Sequence, residues 1–355
     1  MWLRNEFNKR RINYHKIKIS QIGLSDDKRL LTNIPILPKL DKRELEKICQ
    51  IWGTILDRKT IKRGLLYYRI LKSLRSFDEL YLPSAYYVPY ICFLLNKRTY
   101  IPNFVHKSFA DIHFKEALRP NTVVKSIGGC FYGEDYKPMT KYEVVKLLSD
   151  APDKMILKKA TETSGGKGIV FIEQKSKAEI ETLLNKYEGD IIIQKILDQS
   201  PQTAIFNPEC LNTFRVTTLN LNGQTTVLSR CFKMGALSSK VDNIGAGGVI
   251  VGIKPDGHFD NKGFLINGQV VTEFNGIIFN DLIIDGYRRI DDLAIKLHSR
   301  IEHIHIIGWD IALDSENKPV IIEANATWPG ITMEQLCTGP IFGNRTWEVI
   351  NYCKD

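Results

Sequence analysis

Between Ile306 and Asn325 the chain passes through two apolar stretches that each carry an acid. Ile306–Leu313 reads IIGWDIAL and Pro319–Ala324 reads PVIIEA, with a polar turn at Asp314–Lys318 between them. Such a pair predicts a β-hairpin with buried strands. Asp310 and Glu323 would then sit where an ionised carboxylate without a partner is costly. Glu323 and Asn325 are two residues apart, so both face one side of their strand. Three oxygen donors on adjacent strands suit magnesium, which takes carboxylates together with phosphate oxygens and waters. The plainer reading is a pair of polar residues capping a hairpin; the cost of burying them favours a metal.

The chain leading to this hairpin is rich in short strands. Met155–Lys159, Ile169–Glu173 and Asp190–Leu197 read as strands, with a helix over Lys177–Lys186. Thr213–Leu221 and Thr225–Phe232 alternate with period two around Asn222–Gly223, a hairpin signal. Asp291–His305 reads as a helix. The order is α+β with antiparallel hairpins. A doubly wound dinucleotide fold would alternate strand and helix and open a helix on Gly-x-Gly-x-x-Gly, and neither pattern is present. Upstream, Asp41–Leu56 and Gly64–Leu74 have helical spacing, Asp41 and Glu44 forming a capping box, and Thr140–Leu148 starts on a second box, Thr140 with Glu143. Pro83–Pro102 marks a boundary.

Three further segments carry chemistry. Lys158-Lys159-Ala160 leads into a Ser/Gly loop with Gly165, Gly166 and Gly168, whose backbone amides can approach an anion closely. The loop joins strand to strand, so it is not a Walker loop, and a plain β-hairpin tip is an even alternative. Ile191–Leu197 is a buried strand; its functional reading is a hinge whose Gln194, Lys195 and Leu197 meet an adenine edge. Arg215 and Lys233 lie within apolar strands, where a cation is expensive unless it faces an anion. Surface-facing charges on alternating strands are the plainer account. Asp242–Gly248 is a second small-residue loop able to cover a ligand. His303, His305 and Cys231 read as structural.

Charge is unevenly spread over the 355 residues. Residues 1–110 hold 22 Lys+Arg against 9 Asp+Glu, a balance of +13, whereas 111–355 balance at −4. A basic amino-terminal region is compatible with nucleic acid, an anionic membrane surface or an anionic ligand. It lacks the aromatic interleaving of common nucleic-acid modules, so no nucleic-acid partner is expected. Seven cysteines without Cys-x-x-Cys spacing disfavour a disulfide framework or zinc site. The charged start MWLRNEFNKRR is unlike a secretory signal. The longest apolar run, Ala85–Leu95, is broken by Pro89 and too short to span a bilayer. The expectation is a cytoplasmic protein, with peripheral membrane contact through the basic region left open.

Taken in order, these segments resemble the ATP-grasp superfamily, and most of all its sugar-transfer-associated branch. The resemblance rests on Asn212-Thr213-x-Arg215, Val241-Asp242-Asn243…Gly247-Gly248, and Gly308-Trp309-Asp310 before Glu323-x-Asn325. It covers about residues 103–335, with 35 residues from Lys159 to Gln194 and 13 from Asp310 to Glu323. It implies two α+β lobes clamping ATP, with a helical amino-terminal region. The implied units are a basic helical region at 1–95, a linker or pre-grasp segment at 96–150, a small lobe at 151–200 with the Gly-rich loop and a large lobe at 201–355 with the metal site. Lys159, with Ala160 at the family's usual proline position, would contact the phosphates in preference to Lys158, and Lys107 would be the earlier phosphate lysine. Gly165, Gly166 and Gly168 would close on the phosphates, and Gln194, Lys195 and Leu197 would frame adenine. Asp310, Glu323 and Asn325 would hold Mg²⁺, and Arg215 and Lys233 would stabilise the transferring phosphoryl group.

The activity implied is that of an ATP-dependent carboxylate–amine ligase working through an acyl-phosphate. Its substrates would be a small-molecule carboxylate and an amine, an amino acid or a sugar acid in cell-surface glycan assembly. Two alternatives stand beside it. One is a phosphotransferase on the same fold. The other is a basic amino-terminal module that binds membrane or nucleic acid, attached to a non-catalytic ATP-binding domain.

Overall fold

The computed structural model describes residues 27–161, 168–187, 189–237, 239–240, 244–280 and 282–354. The longer helices are α1 (Lys42–Trp52), α2 (Arg58–Leu74), α3 (Lys141–Asp150), α4 (Lys177–Lys186), α5 (Arg288–His298), α6 (Thr332–Thr338) and α7 (Thr346–Tyr352). Local chemistry starts several of them. Both expected capping boxes form, Asp41 with Glu44 and Thr140 with Glu143, and Ser176 with Glu179 makes a third. Gly64 in α2 lies under Tyr86, where a Cβ would meet the ring at 2.4 Å. The run Ala85–Leu95 is helical, with a π-type segment over Tyr87–Ile91 where Pro89 interrupts the regular bonding.

A six-stranded antiparallel sheet forms the small lobe. Its strands are β1 (Thr122–Ile127), β2 (Cys130–Tyr132), β3 (Pro138–Met139), β4 (Met155–Lys159), β5 (Val170–Ile172) and β6 (Ile191–Lys195), in the order β3-β2-β1-β6-β4-β5. Residues 122–139, expected within a linker, are therefore part of this sheet. Helices α3 and α4 cover one face through Val144, Leu148, Ile180 and Leu184, packed on Leu157 and Ile193. The other face looks toward the large lobe.

The large lobe is built on seven strands in the order β11-β10-β9-β8-β7-β14-β15. These are β7 (Thr213–Leu221), β8 (Gln224–Met234), β9 (Val249–Ile253), β10 (Phe259–Leu265), β11 (Val270–Val271), β14 (Ile306–Leu313) and β15 (Pro319–Asn325); β12 (Glu273–Phe274) and β13 (Ile277–Ile278) pair separately. The β7–β8 hairpin turns at Asn222 and Gly223, both at positive φ, as its right-handed strand twist favours. Helix α5 ends at His298, seven residues before the expected end, and packs on one sheet face with Phe214, Phe232 and Trp309. His298 is buried there between the Thr218 hydroxyl and the Ile304 carbonyl.

The opposite face carries a core shared with the amino-terminal helices. Trp52, Tyr67, Tyr86, Ile250, Leu336 and Val349 belong to one cluster. Tyr67 donates to the Thr332 carbonyl at 2.8 Å, and the Gln335 amide brackets Leu82 by accepting from its N–H and donating to its C=O, each at 2.9 Å. Arg75 donates to the carbonyls of Leu336 and Cys337. Residues 27–95 are thus a wall of the large lobe rather than an independent basic module. Among the described residues no helix is long and apolar enough to cross a membrane. His305 bonds Asn220 and Tyr352, and Cys231 is buried in the shared core.

Candidate active site between the two lobes

Strand register builds the centre of the site. Arg215 lies opposite Asp310 across β7 and β14, and Asp310 lies opposite Glu323 across β14 and β15. Opposed residues point to the same face, so three charged side chains stand in a row on the face away from α5. Lys233 joins from β8. Arg215 holds Asp310 through two bonds of 2.9 Å, Nε to Oδ1 and Nη2 to Oδ2, and Lys233 Nζ is 2.9 Å from Oδ1. Asn325 Nδ2 donates to Asp310 Oδ2 at 3.1 Å. Burial pushes the Asp310 carboxyl up, but Arg215 and Lys233 together outweigh it and hold the group well below the usual carboxylate range. Burial likewise opposes the charge on Arg215, and Asp310 more than restores it. Gly308 leaves room for this pair, since a Cβ there would stand 3.2 Å from Arg215 Nη1 and 3.3 Å from Pro329.

Glu334, in the first turn of α6, borders the row. It is 1% exposed. Its Oε2 accepts from the Ser229 hydroxyl, while Oε1 makes no hydrogen bond and has Arg215 Nη1 at 3.9 Å. Burial raises its pKa more than Arg215 lowers it.

The small lobe supplies the other side of a cleft. Along β4, Met155 and Leu157 enter the core under α3 and α4. Strand alternation therefore puts Lys159 on the helix side and Lys158 on the cleft side. Lys158, Gln194, Lys107 and Glu323 line the cleft together. Lys107 links the lobes: its backbone N–H donates to Ala160 at 2.8 Å, and its Nζ is 2.7 Å from Glu323 Oε1. The Gln194 amide donates to Thr122 Oγ1 at 3.0 Å, and its Oε1 is buried without a hydrogen bond. Lys125, opposite Ile192, is 1% exposed; its Nζ lies 2.5 Å from Asp111 and 3.6 Å from the centre of the Tyr136 ring.

Residues 94–351 match the model of the sugar-transfer associated ATP-grasp family. The chain belongs to this ATP-grasp family. No curated protein matches the sequence. Among solved structures, D-alanyl-alanine synthetase A from Vibrio cholerae is similar at 12% identity and a TM-score of 0.41, over 71% of this chain and 64% of that one. The D-alanine–D-alanine ligase from Coxiella burnetii gives 9% identity and 0.40, over 70% and 58%. The biotin carboxylase domain of a Hydrogenobacter thermophilus 2-oxoglutarate carboxylase, in complex with MgADP, gives 14% identity and 0.43, over 71% and 46%. The chain spans less than two thirds of the length of each.

The ATP-grasp lobes bring Lys107, Lys158, Gln194, Arg215, Lys233, Asp310, Glu323 and Asn325 to the cleft and the adjoining sheet face. Strand alternation puts Lys159, the lysine expected at the phosphates, on the helix side of β4, where a Cβ at Gly168 would stand 3.8 Å from its Cγ. The Lys195 side chain pairs with Asp153 at 2.6 Å on an exposed edge, so only its backbone remains near the hinge. Leu197 follows β6, and Gly168 follows the loop at positive φ. Gly165 and Gly166 lie outside the described residues, as do Asp242 and Asn243 of the second loop. Among the described residues no three His, Cys, Asp or Glu cluster for a metal. Two carboxylates with an asparagine amide nevertheless fit Mg²⁺, a hard cation that leaves coordination places to phosphate and water. Sequence reasoning missed Glu334, which stands in a helix with no flanking motif, and Lys125, whose strand gave no signal.

Proposed function

We propose that this ATP-grasp protein is an ATP-dependent ligase joining a carboxylate to an amine through an acyl-phosphate. The γ-phosphoryl group passes to a carboxylate oxygen, the bond to the β-phosphate oxygen breaks, and ADP leaves. The lone pair of an amine then attacks the acyl carbon, the carbon–oxygen bond to phosphate breaks, and inorganic phosphate departs. The nitrogen loses a proton as the amide forms.

Named residues divide the work. Lys158 and Lys107 meet the phosphates from the small-lobe side, with the loop of Gly165, Gly166 and Gly168 closing on them. The orphaned Gln194 Oε1 accepts from the adenine amino group, and the hinge backbone at Lys195 and Leu197 frames the ring. Arg215 and Lys233 face the oxygens that gain charge in transfer, where fixed cations contribute most. Asp310, Glu323 and Asn325 would hold Mg²⁺, which when bound neutralises phosphate charge. The family's name favours a sugar-linked substrate and a place in polysaccharide assembly.

The observation that carries this reading is the row Arg215, Asp310, Glu323, with Lys107, Lys158 and Lys233 converging on it. The test is ADP release by the full chain with ATP and Mg²⁺ across carboxylate and amine panels, with hydroxylamine as trap. ADP release that needs a carboxylate, with hydroxamate formed, is expected. ADP release with a phosphorylated alcohol and no hydroxamate would instead make the protein a phosphotransferase.

A further inference from the structure

A cavity of about 300 Å³ opens beside Arg215. That is near the lower end of the roughly 300–1,000 Å³ usual for small-molecule sites. Its walls come from the amino-terminal helices, the large sheet and the segment before α6. Val88, Ile250, Trp328, Ile331 and Met333 make most of it apolar. Charge is confined to one end, where Arg215, Lys233 and Glu334 meet.

We propose that this cavity takes an α-amino acid with an apolar side chain, its carboxylate at Arg215 and Lys233 and its ammonium at Glu334. Three observations carry the assignment. First, Arg215 Nη1 and Glu334 Oε1 stand 3.9 Å apart, too far to satisfy each other and close enough for one zwitterionic head to meet both. Second, Glu334 Oε1 is buried without a hydrogen bond. A buried acceptor of this kind gains from an incoming N–H donor. Third, apart from the Tyr87 hydroxyl, which is buried without a hydrogen bond, the remaining wall has little to offer a polyhydroxylated ring. The Ser84 and Thr332 hydroxyls are spent on each other at 2.5 Å, and a sugar hydroxyl left unpaired weakens binding. Of the two substrate classes that the ligase reading leaves open, the cavity therefore selects the amino acid. The fate of the bound carboxylate rests on that reading; the binding does not.

Isothermal titration of the full chain without ATP, against leucine, phenylalanine, glycine and glucuronate, tests the pocket, with both enantiomers of the chiral amino acids. Leucine or phenylalanine is expected to bind about tenfold or more tightly than glycine, from which it differs only by an apolar side chain. Glu334→Gln should weaken that binding about tenfold, the loss of one charge-assisted contact. Val88→Trp, which fills the apolar end, should abolish it in a chain with unchanged circular dichroism, and decides the matter if Glu334→Gln does not fold. Glucuronate binding as tightly as leucine, or no amino acid binding above glycine, overturns the proposal. ADP release driven by glucuronate without leucine binding would leave the ligase and remove the pocket. Leucine binding with no ADP release under any amine would do the reverse.

Discussion

Two cavities flank the charged row, Glu323 lining one and Arg215 with Lys233 the other, and they are built oppositely. The interlobe cleft is ringed by charge, with Lys107, Lys125 and Lys158 near Asp111 and Glu323, and measures only about 30 Å³. The cavity beside Arg215 is about 300 Å³ and mostly apolar. In the cleft the protein's own ions occupy one another, as Lys107 does Glu323. A nucleotide entering there must exchange partners and part the walls. The second cavity is preformed, and its ligand would enter between Arg215 Nη1 and Glu334 Oε1, 3.9 Å apart, with the two Arg215–Asp310 bonds left in place. One side of the row is thus made for a ligand that brings charge, and the other for a ligand that brings apolar surface.

The sharpest way to break this comparison is to cut the row at Asp310, which stands between Arg215 and Glu323 across the sheet. Asp310→Ala leaves Arg215 and Lys233 without their shared partner. Urea unfolding is expected to show a loss of about 3–5 kcal/mol. ADP release should fall by about a thousandfold or more. Combining Arg215→Met and Lys233→Met with Asp310→Leu, so that no charge of the triad is left buried without its partner, should recover most of the stability and none of the activity. Continued instability in that triple variant would mean the row is held by something other than its charges.

Next in size is the contrast within β4. Lys158→Ala should raise the KM for ATP about tenfold, equivalent to about 1.4 kcal/mol. Lys159→Ala should leave it within about twofold, because its side chain is turned from the cleft. Equal effects would show that both lysines reach the nucleotide.

A pH series separates the two acids. The raised pKa of Glu334 means that the native state binds its proton more tightly than the unfolded chain does. Its contribution is therefore favourable at low pH and is lost as pH rises through the native value. Replacing it by Gln should stabilise the protein by about 1 kcal/mol at pH 8, the scale of an unpaired buried acceptor. Thermal melts from pH 8 to pH 4 should show that advantage shrinking. Asp310 has the opposite sign: its lowered pKa gives stability that persists above the ordinary carboxylate range and fails only in strong acid.

The smallest effect belongs to Lys195→Ala. Its pair with Asp153 is about half exposed, and such surface pairs contribute about 0.2–1 kcal/mol. Chemical unfolding should register no more than that, with the KM for ATP unchanged.

Local chemistry was the readable part of the sequence. Capping at Asp41 and Thr140, the Asn222–Gly223 turn and the strands β4 and β14 follow from neighbours in the chain, and each formed where the pattern placed it. The acids in GWDIA and IIEAN were visible because buried charge is rare in such runs. The pairing of Arg215 with Asp310 was not, since it depends on which strand lies beside β14. The choice between Lys158 and Lys159 is a question of face, which chain neighbours do not decide, because the face is set by where α3 and α4 pack. Glu334 acquires its meaning only when α6 docks against Tyr67 and Leu82.

One contact couples the lobes mechanically. The Lys107 backbone is fastened to Ala160 in the small lobe, while its ammonium rests on Glu323 in the large one. Any separation of the lobes must break one of these two attachments. If the ammonium lets go, Glu323 is left with more net charge at the moment the gap widens, so admission of the nucleotide and readiness for a cation arrive in a single motion.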